Sequence, residues 1–365
     1  MQRFPVTAVL RVVNNVPMQI EASAPTRIDL AGGTLDIWPL YLFHHGAQTI
    51  NAAISLRAWC EIRPRPDRRL VIVSDDAGQR VEVDHWSQLR DTHDLKLLGR
   101  LLHYFQAEGL ELRTRSESPV GAGIAGSSAL NIAVCGALNA WSGGRRSADQ
   151  IFQIAMNVEA QAIDVPTGVQ DYRPAYYGGI SAVELGVDGI RRVPLDVGTD
   201  ELQARLALAY TNASRNSGIN NWEVTKRHID GDAGDQLRFA RIRDIAAAMR
   251  AALERRDWPE VGRQIAAEWE NRKALAPGVT TPDIDALLAA AAAAGALAGK
   301  VCGAGGGGCL FCFADPERIP AVKQALAATG AKGLDFRIES EGLRIVRREA
   351  ADGAERTEKR NSPHR

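Results

Sequence analysis

From residue 19 to about residue 112, apolar positions alternate with polar ones or gather in short runs, a spacing that predicts strands over 20–23, 50–62 and 70–74. The period then lengthens. Recurrence every three to four residues predicts helices over 95–108, 127–141 and 148–163, followed by a turn at Gly178-Gly179 and a strand over 180–185. After a further strand over 207–211 the pattern becomes helix-rich, with helices expected over 235–256, 258–272 and 283–294. The chain closes with strands over 300–302 and 309–313, a helix after Pro316, and strands near Phe336 and over 343–346. This succession reads as an α+β protein with mixed and antiparallel sheets. Its 365 residues suffice for two cores, and the shift in composition divides it into residues 1–195 and 196–348, with a charged tail, 349–365, expected to be disordered.

Composition narrows the partners. Lysine plus arginine and aspartate plus glutamate each number 44, so the formal net charge is zero; neither nucleic acid nor a membrane is the expected partner, and any basic site must be local. The five cysteines, Cys60, Cys135, Cys302, Cys309 and Cys312, form no even framework and fit reduced, cytoplasmic usage. Cys309 and Cys312 have redox or zinc spacing, but no second Cys/His pair accompanies them and their run is apolar, so core packing is expected. No apolar stretch approaches the roughly 20 residues of a membrane span. Residues 1–17 carry no convincing cleavage site, and a cytoplasmic protein is expected.

The segment Pro119-Val120-Gly121-Ala122-Gly123-Ile124-Ala125-Gly126-Ser127-Ser128-Ala129-Leu130 is a small-residue loop running into an apolar-periodic helix. A helix start exposes unpaired N–H groups and a partial positive charge, so glycines that let a phosphate approach the backbone make an anion cradle there. Residues 121–126 satisfy G-x-G-x-x-G, yet a dinucleotide site needs a buried parallel strand in front and an acid about 20 residues later at the end of a second strand. Instead, 111–118 alternates and is largely charged, and Asp149 stands at a helix start. Gly121 and Gly126 also have P-loop spacing, but Ser127 occupies the lysine's place. What remains is a glycine loop followed by Ser127-Ser128, whose hydroxyls suit helix capping or magnesium ligation; a purely structural cap is the plainer alternative.

A second loop, 24–36, is a strand entering a Gly32-Gly33 turn with Asp36 just beyond. An ionised aspartate there can accept two hydrogen bonds from a polyol, although Asp36 is equally suited to forming the turn. Glu159, late on its helix, and Asp171, after the Pro166-Thr167-Gly168 break, make a further pair. Phosphoryl transfer needs magnesium to neutralise phosphate oxygens and a group to orient or deprotonate the attacking hydroxyl; Glu159 suits the first role and Asp171 the second.

In this order the segments resemble the GHMP kinase superfamily, named for galactokinase, homoserine kinase, mevalonate kinase and phosphomevalonate kinase, over most of the chain. Residues 119–129 are similar to its P-x-G-x-G-L-(G/S)-S-S-(S)-A phosphate loop, 24–36 to its first motif, and 300–309 to its late K-x-x-G-A-G-G-G-G motif. The resemblance implies a two-domain fold with the active site between the domains, ATP and Mg2+ as cofactors, and an alcohol as phosphoryl acceptor. It further implies that Pro119, Gly121, Gly123, Ala125, Gly126, Ser127 and Ser128 surround the ATP phosphates and that Ser128 joins Glu159 on the magnesium. Asp171 matches the family's catalytic aspartate, and Arg27 falls near the reacting phosphate. Asp36 matches a sugar-binding aspartate, with Gly33, Thr34, Gly178, Gly305 and Gly306 also on the substrate side.

Within the superfamily the likeness is greatest to bacterial D-glycero-D-manno-heptose phosphate kinases and related sugar 1-kinases, through 31–36, Gln170-Asp171-Tyr172, 210–217 and Trp269 upstream of Lys300. Two positions depart: Asp36 follows Gly-Gly-Thr-Leu instead of Gly-Gly-Gly-Thr, and Ile124-Ala125-Gly126 replaces Leu-Gly-Ser. Arg57, Arg215 and Lys226 are candidates to pair with a phosphate already on the substrate, and each alone also reads as a surface charge. The expected substrate is a small sugar or sugar phosphate, most like D-glycero-D-manno-heptose 7-phosphate accepting at its 1-hydroxyl. A mevalonate- or homoserine-type kinase, a related decarboxylase, and a sugar- and ATP-binding sensor without chemistry are the alternatives. A homodimer is left open.

Overall fold

The structure is a computed structural model that describes residues 18–90, 94–213 and 218–349. Two long strands, β1 (Met18–Ala31) and β2 (Gln48–Pro64), pair antiparallel, with register shifts at Pro25/Thr26 and Asp29/Ala31. Residues 22–31 of β1 are all buried. A strand covered on both faces loses its alternation, which is why only the first residues of β1 show a strand pattern in the sequence. β3 (Leu70–Ser74) and β4 (Gln79–Val83) form a hairpin. After α1 (Lys96–Phe105), β5 (Leu110–Ser116) enters between β2 and β3, antiparallel to the first and parallel to the second. The alternating charged stretch before the glycine loop is therefore a half-buried strand.

α2 (Gly126–Trp141) follows the glycine loop, and α3 (Ala148–Ile163) begins with a capping box between Ser147 and Gln150. The short α4 (Tyr172–Tyr177) leads to β6 (Ile180–Gly186), which pairs with the near end of β2, and β7 (Gly189–Pro194) pairs with β6. Then come α5 (Thr199–Gln203), β8 (Leu206–Tyr210), α6 (Gly218–Ile229), α7 (Ala233–Glu254), α8 (Trp258–Lys273), α9 (Pro282–Ala293), β9 (Ala296–Val301), β10 (Cys309–Ala314), α10 (Ile319–Ala328) and β11 (Lys332–Leu334). Their strands form a second, antiparallel sheet in the order β11-β8-β10-β9.

The final strand, β12 (Arg344–Glu349), returns to the first sheet and pairs with β1. The seam between the sheets is itself core: Ile28, Leu30 and Ile54 of the first share one buried cluster with Phe311, Phe313 and Ile265. The strand expected near Phe336 lies earlier, at β11, and Ile338 makes only an isolated bridge to Ile54. All five cysteines are buried, Cys309 and Cys312 within β10. Among the described residues no helix is long and apolar enough to cross a membrane. Arg215 and all but the first residue of the expected tail lie outside the described residues.

Candidate active site

The glycine loop joins β5 to α2. Gly121 and Gly123 lie at φ of +69° and +75°, and Ala125, just before the helix, at +62°, a conformation costing a residue with a side chain about 1–2 kcal/mol. The loop's carbonyls are held from behind. Ile124 O accepts the Arg27 N–H at 3.0 Å, Gly123 O the Arg27 guanidinium at 3.0 Å, and Ala122 O the Cys309 N–H at 2.6 Å. The run 303–308 packs directly on it, since a Cβ at Gly308 would lie 2.6 Å from Ala122 O. Gly305 and Gly306 are instead backed against the Gly278–Val279 main chain, where a Cβ would come within 2.5 Å and 3.0 Å of carbonyl oxygens. With its carbonyls so engaged, the loop leaves to the N–H groups at the start of α2, which have no helical carbonyl to bond, a geometry suited to an anion.

Neither serine caps α2: the cap position is Ala125, which offers no side-chain bond. Both hydroxyls are drawn instead to Glu159, Ser127 Oγ donating to Oε1 at 2.6 Å and Ser128 Oγ to Oε2 at 3.1 Å. Tyr172 donates its hydroxyl to the same carboxylate at 2.9 Å, and Asn131 its amide at 3.4 Å. Burial pushes the Glu159 carboxyl above its usual range, with the bonds from Ser127 and Tyr172 opposing. Asn131 carries no distinctive signal in the sequence, and Tyr172 figures there only as part of Gln170-Asp171-Tyr172, with nothing to show that it bonds Glu159.

Asp171 stands at the start of α4, and its Oδ1 accepts from Arg27 Nε at 2.9 Å and Nη2 at 2.6 Å. Burial works against charge on Arg27, but Asp171 and Asp29 outweigh it and keep the guanidinium firmly protonated. The Asp171 side chain keeps 23% of its exposure, whereas Glu159 has 5% and Asp36 1%. Of the three expected site carboxylates, Asp171 is thus the one that a ligand arriving from solvent can meet directly.

Asp36 faces inward. Its Oδ2 accepts the Gln170 N–H at 3.0 Å, and a Cβ on Gly168 would collide with that oxygen. Burial first, and the charge of Asp171 next, push its carboxyl up to about 6. Asp36 thereby holds the loop that carries Asp171. In the turn before it, Thr34 Oγ1 accepts from Arg272 Nη2 at 2.7 Å, and a Cβ at Gly33 would meet Arg272 Nη1 at 2.8 Å. Gly178, at the far end of α4 from Asp171, is backed by the Ser340 carbonyl, 2.6 Å from where its Cβ would lie.

Of the basic residues expected to meet a substrate phosphate, Arg57 and Lys226 are engaged elsewhere. Arg57 is 3% exposed and donates to the main-chain oxygens of Ser23 at 3.0 Å and Glu341 at 3.1 Å, tying the segment before β12 to β1. Lys226 pairs with Asp230 at 2.6 Å on the surface of α6. A cleft of about 770 Å3 runs along α1 and α3 between Arg100, Arg146 and Asn157, and none of the groups above lines it.

Taken together, an anion-binding helix start, a buried glutamate behind two hydroxyls and an aspartate steadied by an arginine suit one operation, the transfer of a phosphoryl group to an alcohol. That makes the protein a phosphotransferase of small molecules. Comparison with known proteins narrows the class: the model of the GHMP kinases N terminal domain matches residues 95–179, and that of the GHMP kinases C terminal matches residues 249–332. The chain belongs to the GHMP kinases. It is 28% identical over 343 residues to a D-glycero-alpha-D-manno-heptose 7-phosphate kinase of Campylobacter jejuni, covering 90% of this chain and 99% of that protein. A crystal structure of a D-glycero-D-manno-heptose 1-phosphate kinase from Bacteroides thetaiotaomicron superposes with a TM-score of 0.72 at 25% identity, covering 90% and 98% of the two chains. Lactococcus lactis galactokinase complexed with galactose shares the fold with a TM-score of 0.74 at 19% identity, over 89% and 95%.

Proposed function

We propose that the protein transfers the terminal phosphoryl group of ATP to the 1-hydroxyl of a heptose phosphate, with D-glycero-D-manno-heptose 7-phosphate as the favoured acceptor. The observation that carries this reading is the pair Arg27–Asp171 set against Gly123 of the glycine loop. Relatives acting on heptose phosphates supply the substrate class.

Arg27 occupies only Oδ1 of Asp171, which leaves Oδ2 to take the proton of the acceptor hydroxyl. The hydroxyl oxygen forms its bond to the γ-phosphorus as the bond to the β–γ bridging oxygen breaks, and ADP leaves. The glycine loop holds the triphosphate by its N–H groups, and Arg27 sets both the angle of Asp171 and local positive charge. Glu159 and Ser128 are hard oxygen donors beside the loop, and one carboxylate completed by phosphate oxygens and water suits magnesium. When bound, that ion supplies charge neutralisation on the phosphates.

The test is ADP release with ATP and magnesium against heptose phosphates, fucose, galactose, glucuronate, mevalonate and homoserine. The highest kcat/KM is expected with the heptose 7-phosphate. Turnover of mevalonate or homoserine with none of the heptose phosphates overturns the assignment, and binding of ATP and sugar without any turnover favours a sensor.

A further inference from the structure

Beneath the Gly32-Gly33 turn lies a set of buried charges to which the reading above gives no task. Asp29, on β1, is 0% exposed. Its Oδ2 accepts from Lys300 Nζ at 2.9 Å and Arg272 Nη1 at 3.0 Å, and its Oδ1 accepts the Gly303 N–H at 3.1 Å and lies 3.7 Å from Arg27 Nη1. Lys300 also donates to the Asp29 main-chain oxygen at 3.0 Å. Lys300 and Arg272 are as buried as the carboxylate, at 0% and 2% exposure. Burial opposes ionisation of Asp29, yet Lys300, Arg272 and Arg27 outweigh it and hold the carboxyl well below its usual range.

Taking such ions out of water costs several kcal/mol each, and an apolar cluster of the same volume is often at least as stable. Stability alone therefore does not account for the arrangement, but the places its members lead to do. Arg27 continues to Asp171 and to Gly123 O. Arg272, from α8, continues to Thr34 in the turn before Asp36. Gly303 opens the run whose far end, Gly308-Cys309, backs Ala122 of the glycine loop. One carboxylate is thus linked through Arg27 to Asp171, through Arg272 to the turn before Asp36, and through Gly303 to the run that backs the glycine loop.

We propose that Asp29, with Lys300 and Arg272, is a positioning residue that sets the alignment of Asp171 with the glycine loop, and so of the acceptor hydroxyl with the phosphate. The inference rests on the phosphotransferase reading and adds residues that touch no substrate, so their loss should lower kcat and leave KM for ATP nearly unchanged.

Full-length Asp29→Asn, Lys300→Met, their double variant and Arg272→Lys are compared with the wild type. The readouts are ADP release with magnesium ATP and the heptose 7-phosphate, melting temperature, and amide hydrogen exchange without ligand. Asp29→Asn leaves Lys300 with only the buried Glu268 carboxylate, 3.9 Å away, as counter-charge, and the double variant removes the charges of both Asp29 and Lys300. The expected result is a fall in kcat of about tenfold or more in all four with the KM for ATP within about threefold, while the double variant regains melting temperature but not kcat. Recovery of kcat together with melting temperature, or an unchanged kcat in Arg272→Lys, reduces the cluster to packing and overturns the proposal. Arg272→Lys keeps the charge and carries the test if Asp29→Asn does not fold. If the wild type turns over no sugar phosphate, the phosphotransferase reading fails separately and exchange still decides. Faster exchange over 31–34 and 303–306 in Arg272→Lys supports positioning, and unchanged exchange overturns it.

Discussion

Replacing Asp171 by asparagine keeps the shape of the side chain and an oxygen for Arg27 but removes the charge. Both guanidinium bonds, at 2.9 Å and 2.6 Å, fall on Oδ1, so an amide oxygen there preserves the geometry. What is lost is the counter-charge: Arg27, 3% exposed, is left with Asp29 at 3.7 Å as its nearest carboxylate. Hydrogen bonds to charged groups contribute about 1.5–3 kcal/mol, and the 23% exposure of Asp171 moves the expected loss of stability toward the lower end, about 1–2 kcal/mol. That is small beside the ~5–15 kcal/mol holding a typical domain folded, so the variant should fold. Turnover falls much further, because an amide cannot take the acceptor's proton and general bases are worth about 10²–10⁴ in rate. ADP release gives kcat, equilibrium dialysis gives ATP affinity, and a thermal melt checks the fold. The expected outcome is a kcat down by about a hundredfold or more with ATP affinity within about threefold. A variant retaining more than about a tenth of the wild-type kcat removes Asp171 from the proton transfer, and a parallel loss of ATP affinity assigns the pair to holding Gly123 instead.

Glu159→Gln should raise the magnesium concentration needed for half-maximal ADP release by about tenfold or more, and an unchanged requirement excludes Glu159 as the metal's carboxylate. Asp36 supplies a pH test: its folded pKa near 6 exceeds that of an exposed aspartate, so its stabilising contribution is complete below about pH 4 and is lost as the pH rises through about 6. The stability of Asp36→Asn relative to wild type should accordingly improve by up to about 3 kcal/mol between about pH 4 and pH 8 in urea melts, and a flat difference would contradict the inward position of the carboxyl. Gly308→Ala forces a Cβ to within 2.6 Å of Ala122 O and should raise the KM for ATP about tenfold, whereas Gly144→Ala, at φ +69° with open space around it, should cost only about 1 kcal/mol of stability and leave that KM unchanged. Arg57→Met should lower stability by about 3 kcal/mol through the freed Ser23 and Glu341 carbonyls without changing the KM for the sugar phosphate by more than about twofold, and a large KM effect would return Arg57 to the acceptor site.

Elements whose physics is local are legible in the sequence. The helices α3, α7 and α8 bury one face over several turns, so their period survives, while α2, buried all round over 131–138, follows the small residues of 119–128 that announce a close backbone approach whatever packs around them. α4 and α5, six and five residues long, are too short to show a period. β4 and β7 are largely unburied and polar, and read as loop. β12 is visible as a strand, but nothing in its residues says that it crosses back to β1 from the other end of the chain, setting Glu349 opposite Met18 and Arg348 opposite Gln19.

The site divides along the same line. Ser127, Ser128 and Glu159 meet because adjacent turns of α2 and α3 bring them together, and Asp171 reaches Arg27 through the short loop before α4. The direction in which each group faces is a tertiary property. Asp36 and Arg57 occupy sequence positions suited to substrate contact, yet the first is drawn under Gly168 and the second under residues 341–342, where buried main-chain groups need partners. Asp29 is the extreme case: in the strand Thr26-Arg27-Ile28-Asp29-Leu30 it looks like half of an alternating, solvent-facing pattern, and its lysine partner lies 271 residues away. Charges that appear exposed in a strand become an internal ion cluster only when the second sheet closes over them. The residues that bring the two halves of the site into register are therefore the ones a sequence pattern hides, since their charge is explained by a partner that the pattern does not contain.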